Sequence, residues 1–428
     1  MLRATLVGER ADDPCLPEDV LDVFALATQD VQITPDVLKS EVRTSRLRAN
    51  KQTGGGADQA PEGSNNWTIG PAKSATGRPI LANDPHRAYS TPSLRYIVHL
   101  NAPGLNVVGA GEPALPGISI GHNGTIGFGL TIFAIDQEDL YVYELNRSNT
   151  REYRYQAAWE PMRVIRETIR VRNASSIEVE LVFTRHGPVV HVDGDRRRAY
   201  ALRSYWLEPG MSPYFGSVGY MRATSFPEFQ RAMLRWGAPT ENLVYADVTG
   251  NIGWVAGGLA PIRPNWDGLM PVPGDGRYEW AGFWSGEQLP SSYNPVQGYI
   301  TTSNEMNLPA DYPNGERKLG FEWANRSRHT RIDEVLQSLS KVSIEDSLAL
   351  QNDVVSLPAR RLVAVLSSLN TDDVAAKRAL NLLRDWDGVE RAESPQAVLR
   401  NYSGWPDLRF QARGAAFARI ARRSELAT

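Results

Sequence analysis

The stretch Glu62-Gly63-Ser64-Asn65-Asn66-Trp67 marks the most abrupt change of character in this 428-residue chain. Residues 52–63, which end within this stretch, include four glycines and no large apolar side chain. This composition is typical of a flexible linker. Strand-like patterns begin directly after it. We therefore divide the chain into residues 1–51, a linker at 52–63 and a large domain over 64–428.

Signals for short strands and turns dominate from residue 64 to about residue 300, and helical signals dominate after about residue 328. Apolar and polar residues alternate at 94–100, 163–172 and 176–184, as they do in half-buried strands. Asn123-Gly124 is a typical hairpin turn, and Ser343 is a typical helix N-cap. This order of elements predicts an α+β fold.

Composition excludes several classes of protein. The chain has 46 Lys and Arg against 49 Asp and Glu, a net charge of −3, which argues against a nucleic-acid-binding protein. Its one cysteine, Cys15, allows neither an intrachain disulfide nor a cysteine-based zinc site. No apolar run is long enough for a membrane span, and the first twenty residues lack the apolar core of a secretory signal. Compartment stays open: periplasmic or secreted if a longer precursor carries a signal peptide, cytoplasmic otherwise.

Ser64 has two interpretations. It is either an ordinary residue at a linker–domain boundary or a nucleophile that becomes a new N-terminus after cleavage of the Gly63–Ser64 bond. A serine hydroxyl is a weak nucleophile until a base takes its proton. A free α-amine, with a pKa near about 8, can act as that base on the same residue. This chemistry needs no histidine.

A second serine matches a different nucleophile pattern. Gly117-Ile-Ser119-Ile-Gly121 has the letters of the nucleophile elbow of serine hydrolases. That elbow requires a strand–turn–helix context, whereas Ser119 precedes a strand and the Asn123-Gly124 turn. A conventional serine hydrolase is therefore the weakest of the enzymatic interpretations.

Several motifs in this chain resemble those of penicillin acylases and their relatives. These N-terminal-nucleophile hydrolases include cephalosporin acylases and acyl-homoserine-lactone acylases. The matching blocks follow the family order and are Ser64-Asn-Asn-Trp67, Gly77-Arg-Pro-Ile-Leu-Ala-Asn-Asp-Pro-His86, Gly121-His-Asn-Gly124, Asp136-Gln-Glu-Asp139, Arg185-His-Gly-Pro188, Glu241-Asn-Leu-Val-Tyr-Ala-Asp247, Asp267-Gly-Leu-Met-Pro-Val-Pro-Gly274 and Trp386-Asp-Gly388. The resemblance implies an αββα sandwich, in which two stacked antiparallel sheets are flanked by helices.

The resemblance also implies roles for individual residues. Ser64 matches the nucleophile, and His86 takes the position of a residue that contacts and orients the α-amine. The side-chain amide of Asn242 and the backbone N–H of Ile132 match the two donors of the oxyanion hole. Arg263 matches an arginine that supports this asparagine.

Two further expectations concern the surroundings of the site. Phe133, which follows Ile132, is expected near the acyl pocket. Asp136, Glu138 and Asp139 match the family's calcium segment, and such hard oxygen ligands suit Ca²⁺. A solvated acidic loop is the alternative. No organic cofactor is implied.

The family also carries an α-chain of considerable length before the linker, and a β-chain that continues past residue 428. The resemblance therefore implies that residues 1–51 are a remnant of the α-chain region, and that a separate or missing α-chain is a partner. The function expected is hydrolysis of small acyl amides, such as penicillins, cephalosporins or N-acyl-homoserine lactones, after self-cleavage at Gly63–Ser64. The alternative is a catalytically inert, β-rich binding or interaction protein.

Overall fold

A computed structural model describes residues 17, 19–28, 63–87, 93–113, 115–209 and 215–402. Nearly all of the predicted N-terminal region and linker lie outside these residues, so the division at residue 51 stays a prediction. Within the described part, no helix is both long and apolar enough to cross a membrane.

Twenty strands and eight α-helices make up the described chain. The strands are β1 (Gly63–Ile69), β2 (Ile80–His86), β3 (Tyr96–Ala102), β4 (Leu105–Gly111), β5 (Ile120–His122), β6 (Ile126–Ile132), β7 (Glu138–Glu144), β8 (Glu152–Tyr155), β9 (Ala158–Pro161), β10 (Arg163–Ile169), β11 (Ile177–Thr184), β12 (Gly187–Asp193), β13 (Arg198–Ser204), β14 (Glu241–Asp247), β15 (Ile252–Gly257), β16 (Ala260–Pro261), β17 (Val272–Pro273), β18 (Phe283–Trp284), β19 (Ser291–Tyr293) and β20 (Tyr299–Thr302). The helices are α1 (Asp22–Thr28), α2 (Phe215–Tyr220), α3 (Phe226–Ala232), α4 (Ser327–Ser338), α5 (Ile344–Gln351), α6 (Leu357–Leu366), α7 (Val374–Leu383) and α8 (Pro395–Tyr402).

Two antiparallel sheets form the centre of the molecule. The smaller has the order β2-β1-β20, and the larger has the order β19-β15-β14-β6-β5-β4-β3. The sheets approach closely where Gly129 of β6 faces Asn83 of β2. A Cβ at position 129 would lie 2.3 Å from Asn83 Oδ1. Glycine at this point therefore sets the spacing of the two sheets.

Helices cover the outer face of each sheet. Tyr220 and Phe229, from α2 and α3, pack against Phe128 and Leu243 of the larger sheet. On the opposite side, α4 and α5 pack on Trp67, Ile69 and other apolar residues of the smaller sheet. The four layers are helix, sheet, sheet and helix, so the predicted α+β fold and αββα sandwich are confirmed.

A third sheet stands beside this sandwich. Its order is β10-β11-β12-β13-β7-β17, and it is antiparallel except for the parallel pair β17–β7. Tyr141 and Tyr143 of β7 pack with Trp266 and Trp280 in its core. Strand β7 begins at Glu138, so this sheet positions the acidic segment that the sequence singles out.

Local sequence signals explain several element boundaries. The Ser343 hydroxyl accepts a hydrogen bond from the Asp346 N–H at 3.0 Å, which confirms the predicted cap of α5. Ser225 stands at the N-cap of α3, but its side chain makes no capping bond. Glu228 instead accepts a bond from the backbone N–H of Thr224 at 2.8 Å, so a capping box does not form there.

Candidate active site

Ser64 is the second residue of β1, the central strand of the smaller sheet. Side chains alternate along a strand, so Ser64, Asn66 and Thr68 face the larger sheet while Trp67 faces the helices. Only 4% of Ser64 is exposed. The serine that follows the linker is therefore held in the space between the two sheets.

Asn304 contacts Ser64 at two atoms. The backbone N–H of Ser64 donates to Asn304 Oδ1 at 2.9 Å, and Asn304 Nδ2 donates to Ser64 Oγ at 3.2 Å. Asn304 lies just after β20 with φ of 68°, a left-handed conformation that asparagine tolerates better than most residues. Its Nδ2 also donates to the Ile132 carbonyl at 3.0 Å. One amide group thus connects Ser64 to the end of β6.

Arg328, in the first turn of α4, fixes the other side of this arrangement. Its Nη1 donates to the Ser64 carbonyl and to Asn65 Oδ1, both at 2.7 Å. Its Nη2 donates to Asn304 Oδ1 at 2.8 Å. Burial lowers the pKa of the guanidinium, and the nearby carboxylates of Glu305 and Asp84 oppose that shift. Arg328 therefore brings a partly desolvated positive charge close to the Ser64 nitrogen.

A buried carboxylate supports the loop that carries Asn304. Glu305 accepts a hydrogen bond from the backbone N–H of Ser303 at 2.7 Å. Its Oε1 lies 3.0 Å from Nδ1 of His329, the residue that follows Arg328 in α4. This pair connects the loop to the helix and holds Asn304 and Arg328 in register.

The backbone of Ile132 is oriented toward the site. The Phe133 N–H donates to the Thr240 carbonyl at 3.1 Å, which makes these two residues a hydrogen-bonded pair of the β6–β14 ladder. Inter-strand bonds alternate in antiparallel ladders, so the Ile132 N–H points away from β14. It is thus directed to the side on which a substrate carbonyl could be bound.

Asn242, the predicted oxyanion-hole asparagine, has other partners. Its Nδ2 donates to Thr131 Oγ1 at 3.1 Å and to the Ile132 carbonyl at 3.2 Å. Its Oδ1 accepts bonds from Trp254 Nε1 at 2.7 Å and Asn307 Nδ2 at 2.8 Å. Both ends of this amide are satisfied within the protein. The side-chain amide that reaches Ser64 belongs to Asn304.

His86 lies on the helix-facing side of the smaller sheet. Strand pairing sets Gly63 opposite His86 and Ser64 opposite Pro85, so the side chains of Ser64 and His86 leave the sheet on opposite faces. The imidazole Nε2 lies 3.1 Å from Asp84 Oδ2 and 3.2 Å from Asn65 Nδ2. The amine-orienting role expected for His86 stays a prediction, and in the uncleaved chain Asn304 holds that nitrogen.

Arg263 does not contact Asn242. Its guanidinium instead pairs with Asp139 at 2.7 Å and Asp136 at 3.2 Å, in the predicted calcium segment. Burial raises the pKa of Asp136 to about 6, and Arg263 opposes that shift. The expected support of Asn242 by Arg263 is therefore replaced by an ion-pair network at the start of β7.

The acidic segment does not fit Ca²⁺ as it stands. Both carboxylate oxygens of Asp139 are engaged, by Arg263 and by the indole N–H groups of Trp266 and Trp280 at 3.2 and 2.6 Å. The Glu138 carboxylate accepts a bond from Ser204 Oγ at 2.8 Å. Across the described ranges, no three His, Cys, Asp or Glu side chains form a group that could hold a metal ion.

The remaining sequence candidates occupy the protein interior. Phe133 is fully buried and packs edge to face against Trp254 and Trp323, with ring centroids 6.0 and 5.0 Å away. Ser119 is also buried and precedes β5 without a following helix, so the nucleophile-elbow alternative lacks its structural context. Neither residue lies in an open active site in this structure.

A cavity of about 510 Å³ adjoins the proposed site and has Ile132, Thr240, Asp136, Trp206 and Phe321 among its lining residues. A larger cavity of about 1020 Å³ lies between α1 and strands β11 to β13. Ser64 and Asn304 do not line the larger cavity, so its greater volume does not identify it as the active site. The smaller cavity does not include Ser64 or Asn304 in its lining, but it reaches Ile132, whose carbonyl accepts a hydrogen bond from Asn304 Nδ2.

Glu241 is a buried acid beside the same backbone. It pairs in register with Ile132 across the β14–β6 ladder and is 4% exposed. Burial raises its pKa to about 8, although Arg87 and Arg95 oppose the shift. Its Oε2 has no hydrogen-bond partner among the described residues. Burial therefore favours the neutral, protonated form of this side chain.

A serine held at the start of a central strand, between two antiparallel sheets flanked by helices, defines an N-terminal-nucleophile hydrolase fold. Comparison with known proteins identifies the family within that class. A family model described as penicillin amidase matches residues 5–412, and the chain belongs to this family. The family predicted from the sequence is thus confirmed.

Curated relatives and a solved structure agree with this assignment. The chain is 34% identical over 357 residues to a penicillin acylase 2 proenzyme from Pseudomonas sp. (strain SE83), covering 82% of this chain and 45% of the relative. It is 30% identical over 341 residues to penicillin G acylase of Escherichia coli, covering 77% of this chain and 39% of the relative. It is also 30% identical over 321 residues to the acyl-homoserine lactone acylase QuiP of Pseudomonas aeruginosa, covering 71% and 37%.

The solved structure is a thermostable penicillin G acylase from Alcaligenes faecalis. It superposes with a TM-score of 0.69 at 28% identity and covers 78% of this chain and 62% of that chain. The chain spans less than half the length of the curated relatives that it matches.

Proposed function

We propose that this chain is an acylase that hydrolyses small acyl amides with Ser64 as its nucleophile, after cleavage of the Gly63–Ser64 bond. The observation that carries the proposal is the double contact between Asn304 and Ser64, at 2.9 and 3.2 Å. The names of the relatives support amide hydrolysis as the reaction class. The proposal extends to the substrate types in those names, penicillins and N-acyl-homoserine lactones, and to cephalosporins.

The first step proposed is self-cleavage. Ser64 Oγ attacks the Gly63 carbonyl carbon, the C–N bond breaks, the Gly63 acyl group moves from nitrogen to oxygen, and the hydroxyl proton passes to the departing Ser64 nitrogen. Water then hydrolyses this ester, which leaves a carboxylate on Gly63 and a free α-amine on Ser64. The hydrogen bond that Asn304 Nδ2 donates to Ser64 Oγ leaves the hydroxyl proton free for transfer.

In the second step the free amine acts as the base. Its N–H donates to Asn304 Oδ1, and its lone pair accepts the Ser64 hydroxyl proton as Oγ attacks the substrate carbonyl. The charge of Arg328, 2.8 Å from the same Oδ1, disfavours protonation of the amine before substrate arrives. The protonated amine passes its proton to the leaving amine, and water releases the acid from the acyl-enzyme.

The third element proposed is an oxyanion hole formed by Asn304 Nδ2 and the Ile132 N–H. One such donor typically contributes about 3 kcal/mol to transition-state stabilisation. This assigns to Asn304 and Arg328 the roles that the sequence suggested for Asn242 and Arg263. A separate or missing α-chain remains part of the proposal as a partner, as the sequence resemblance implies.

Mass spectrometry of the purified protein tests the proposal. We expect two pieces, with Ser64 at the N-terminus of the larger, and release of a chromogenic amine from phenylacetyl or fatty-acyl amides. Ser64→Ala is expected to stay one chain and to lose hydrolysis. Activity that survives Ser64→Ala would rule out this mechanism, and a chain that neither cleaves nor hydrolyses would favour the inert binding protein instead.

A further inference from the structure

The guanidinium of Arg263 stands at the centre of four oxygen atoms. Its Nη2 lies 3.2 Å from Asp136 Oδ2 and 3.3 Å from each of the carbonyl oxygens of Asp136 and Glu138. Its Nε donates to Asp139 Oδ2 at 2.7 Å. Two carboxylates and two main-chain carbonyls thus converge on one positive group, and such oxygens are the ligand types that Ca²⁺ uses in proteins.

The surroundings enclose the arginine and Asp139. Its side chain is 4% exposed and that of Asp139 is 1% exposed. Gly268 closes over the group with φ of 93°, and a Cβ there would lie 2.8 Å from Arg263 Cζ and 2.7 Å from Asp136 Oδ2. The two indoles bonded to Asp139 cover that carboxylate, whereas the Asp136 side chain is 26% exposed and lines the cavity of about 510 Å³.

We infer that Arg263 is a built-in substitute for a divalent cation, and that its removal uncovers a latent Ca²⁺ site made of these four oxygens. The wild-type chain therefore gains no stability from Ca²⁺ at this position. Without the guanidinium, the buried carboxylate of Asp139 and the half-buried carboxylate of Asp136 lack a counter-charge, which is strongly destabilising. A divalent ion of suitable size can restore that charge. The inference does not depend on the identity of the nucleophile.

The test compares thermal unfolding of the full chain in EGTA and in millimolar CaCl₂. Wild type is expected to have the same Tm in both. Arg263→Ala is expected to unfold roughly 5 °C or more lower in EGTA and to regain much of that loss in CaCl₂. Calorimetric titration with CaCl₂ should detect one binding site in Arg263→Ala and none in wild type.

Three further variants test whether the effect of CaCl₂ on Tm is specific to the site of Arg263. Arg263→Lys keeps a positive charge and is expected to show no rise of Tm with CaCl₂. Arg263→Ala combined with Asp139→Asn should lose the rescue. Arg166→Ala removes an exposed arginine of β10 that pairs with Glu180. The Tm of this variant should be the same in EGTA and in CaCl₂.

Two results would overturn the inference. One is a wild-type Tm that rises with CaCl₂ and stops rising in Asp139→Asn, because the segment would then bind the ion with Arg263 in place. The other is an Arg263→Ala protein that is as stable as wild type in EGTA, or is destabilised but gains nothing from CaCl₂. If Arg263→Ala does not fold in either buffer, refolding yields of wild type and of Arg263→Lys in EGTA and CaCl₂ decide the question. Equal yields support the inference, and higher yields in CaCl₂ contradict it.

Discussion

Asn304 binds both reactive positions of Ser64, its backbone nitrogen through Oδ1 and its hydroxyl oxygen through Nδ2, although 240 residues separate the two in sequence. An amide that accepts from one atom and donates to the other leaves little freedom for the serine to rotate. Its orientation is therefore fixed before any substrate arrives, which lowers the entropic cost of reaching the transition state.

Replacing the two candidate asparagines should have different effects. Asn304→Ala is expected to lower kcat for amide hydrolysis by roughly 10²- to 10³-fold, because it removes an oxyanion donor. Asn242→Ala leaves Trp254 Nε1 and Asn307 Nδ2 without an acceptor, and we expect it to cost about 1–3 kcal/mol of stability. Steady-state kinetics and denaturant unfolding of both variants separate the two effects. A larger kcat loss in Asn242→Ala, with a stable fold, would return the oxyanion role to that residue.

Arg328 is expected to control the rate of self-cleavage. Arg328→Lys keeps the charge but cannot bond the Ser64 carbonyl, Asn65 and Asn304 together, so cleavage at Gly63–Ser64 should slow by at least about tenfold. The rate is measured by following the intact mass with time. Arg331→Ala, one helical turn further along α4, is the matched control, since Arg331 pairs with Asp353 and does not contact the serine. Equal slowing in both variants would indicate a general disturbance of α4.

Glu241 should make the stability of the protein depend on pH. Burial raises its folded-state pKa from 4.5 to about 8, so between these values the folded chain holds a proton that the unfolded chain has lost. The unfolding free energy therefore falls as pH rises through this window, by up to about 1.4 kcal/mol per pH unit. Glu241→Gln should flatten that slope in denaturant titrations at pH 5, 6, 7 and 8. Glu167→Gln, on the exposed face of β10, should leave it unchanged, and a wild-type profile with no slope would contradict the prediction.

The spacing of the two central sheets can be tested by a double-mutant cycle. Gly129→Ala should cost about 1–3 kcal/mol, since the new Cβ would lie 2.3 Å from Asn83 Oδ1. Asn83→Ala should cost little, because neither polar atom of this buried amide has a hydrogen-bond partner within the described chain. The double variant is expected to recover most of the loss. Additive costs would mean that the two residues do not define the spacing.

Much of the fold could be predicted from sequence because its signals are local. The hairpin of β1 and β2, the turn between β5 and β6, and the Ser343 cap each depend on residues within one turn or one strand pair. The position of Ser64 followed from a change of composition at a single point. These features need no knowledge of tertiary contacts.

The partners of Ser64 could not be found in this way. Asn304 lies in Thr-Ser-Asn-Glu305, which contains no recognisable motif, and Arg328 lies in the polar first turn of α4. The family resemblance assigns the oxyanion role to Asn242 instead, in the block Glu241-Asn-Leu-Val-Tyr-Ala-Asp247. The acidic segment similarly suggested a metal site. The arginine that fills it could not be recognised from sequence, because Arg263 is 124 residues away from Asp139.

The side of the sheet on which His86 lies follows from the pairing of β1 and β2. Once β1 and β2 are taken as an antiparallel pair, each side chain on one strand shares a face with the residue opposite it. Ser64 is opposite Pro85, so His86 must leave the sheet on the other side. This register places His86 beside Asn65, which Arg328 of α4 also contacts.

The bond between Gly63 and Ser64 lies at the start of β1, where both residues are buried and paired with β2. A separate protease must bind its substrate as an extended segment in its own cleft. Here the residues from Gly63 onward are already paired in a sheet. Maturation by cleavage of this bond, where it occurs, is consequently an intramolecular reaction. Its half-life should stay constant on dilution, and added protease inhibitors should not lengthen it.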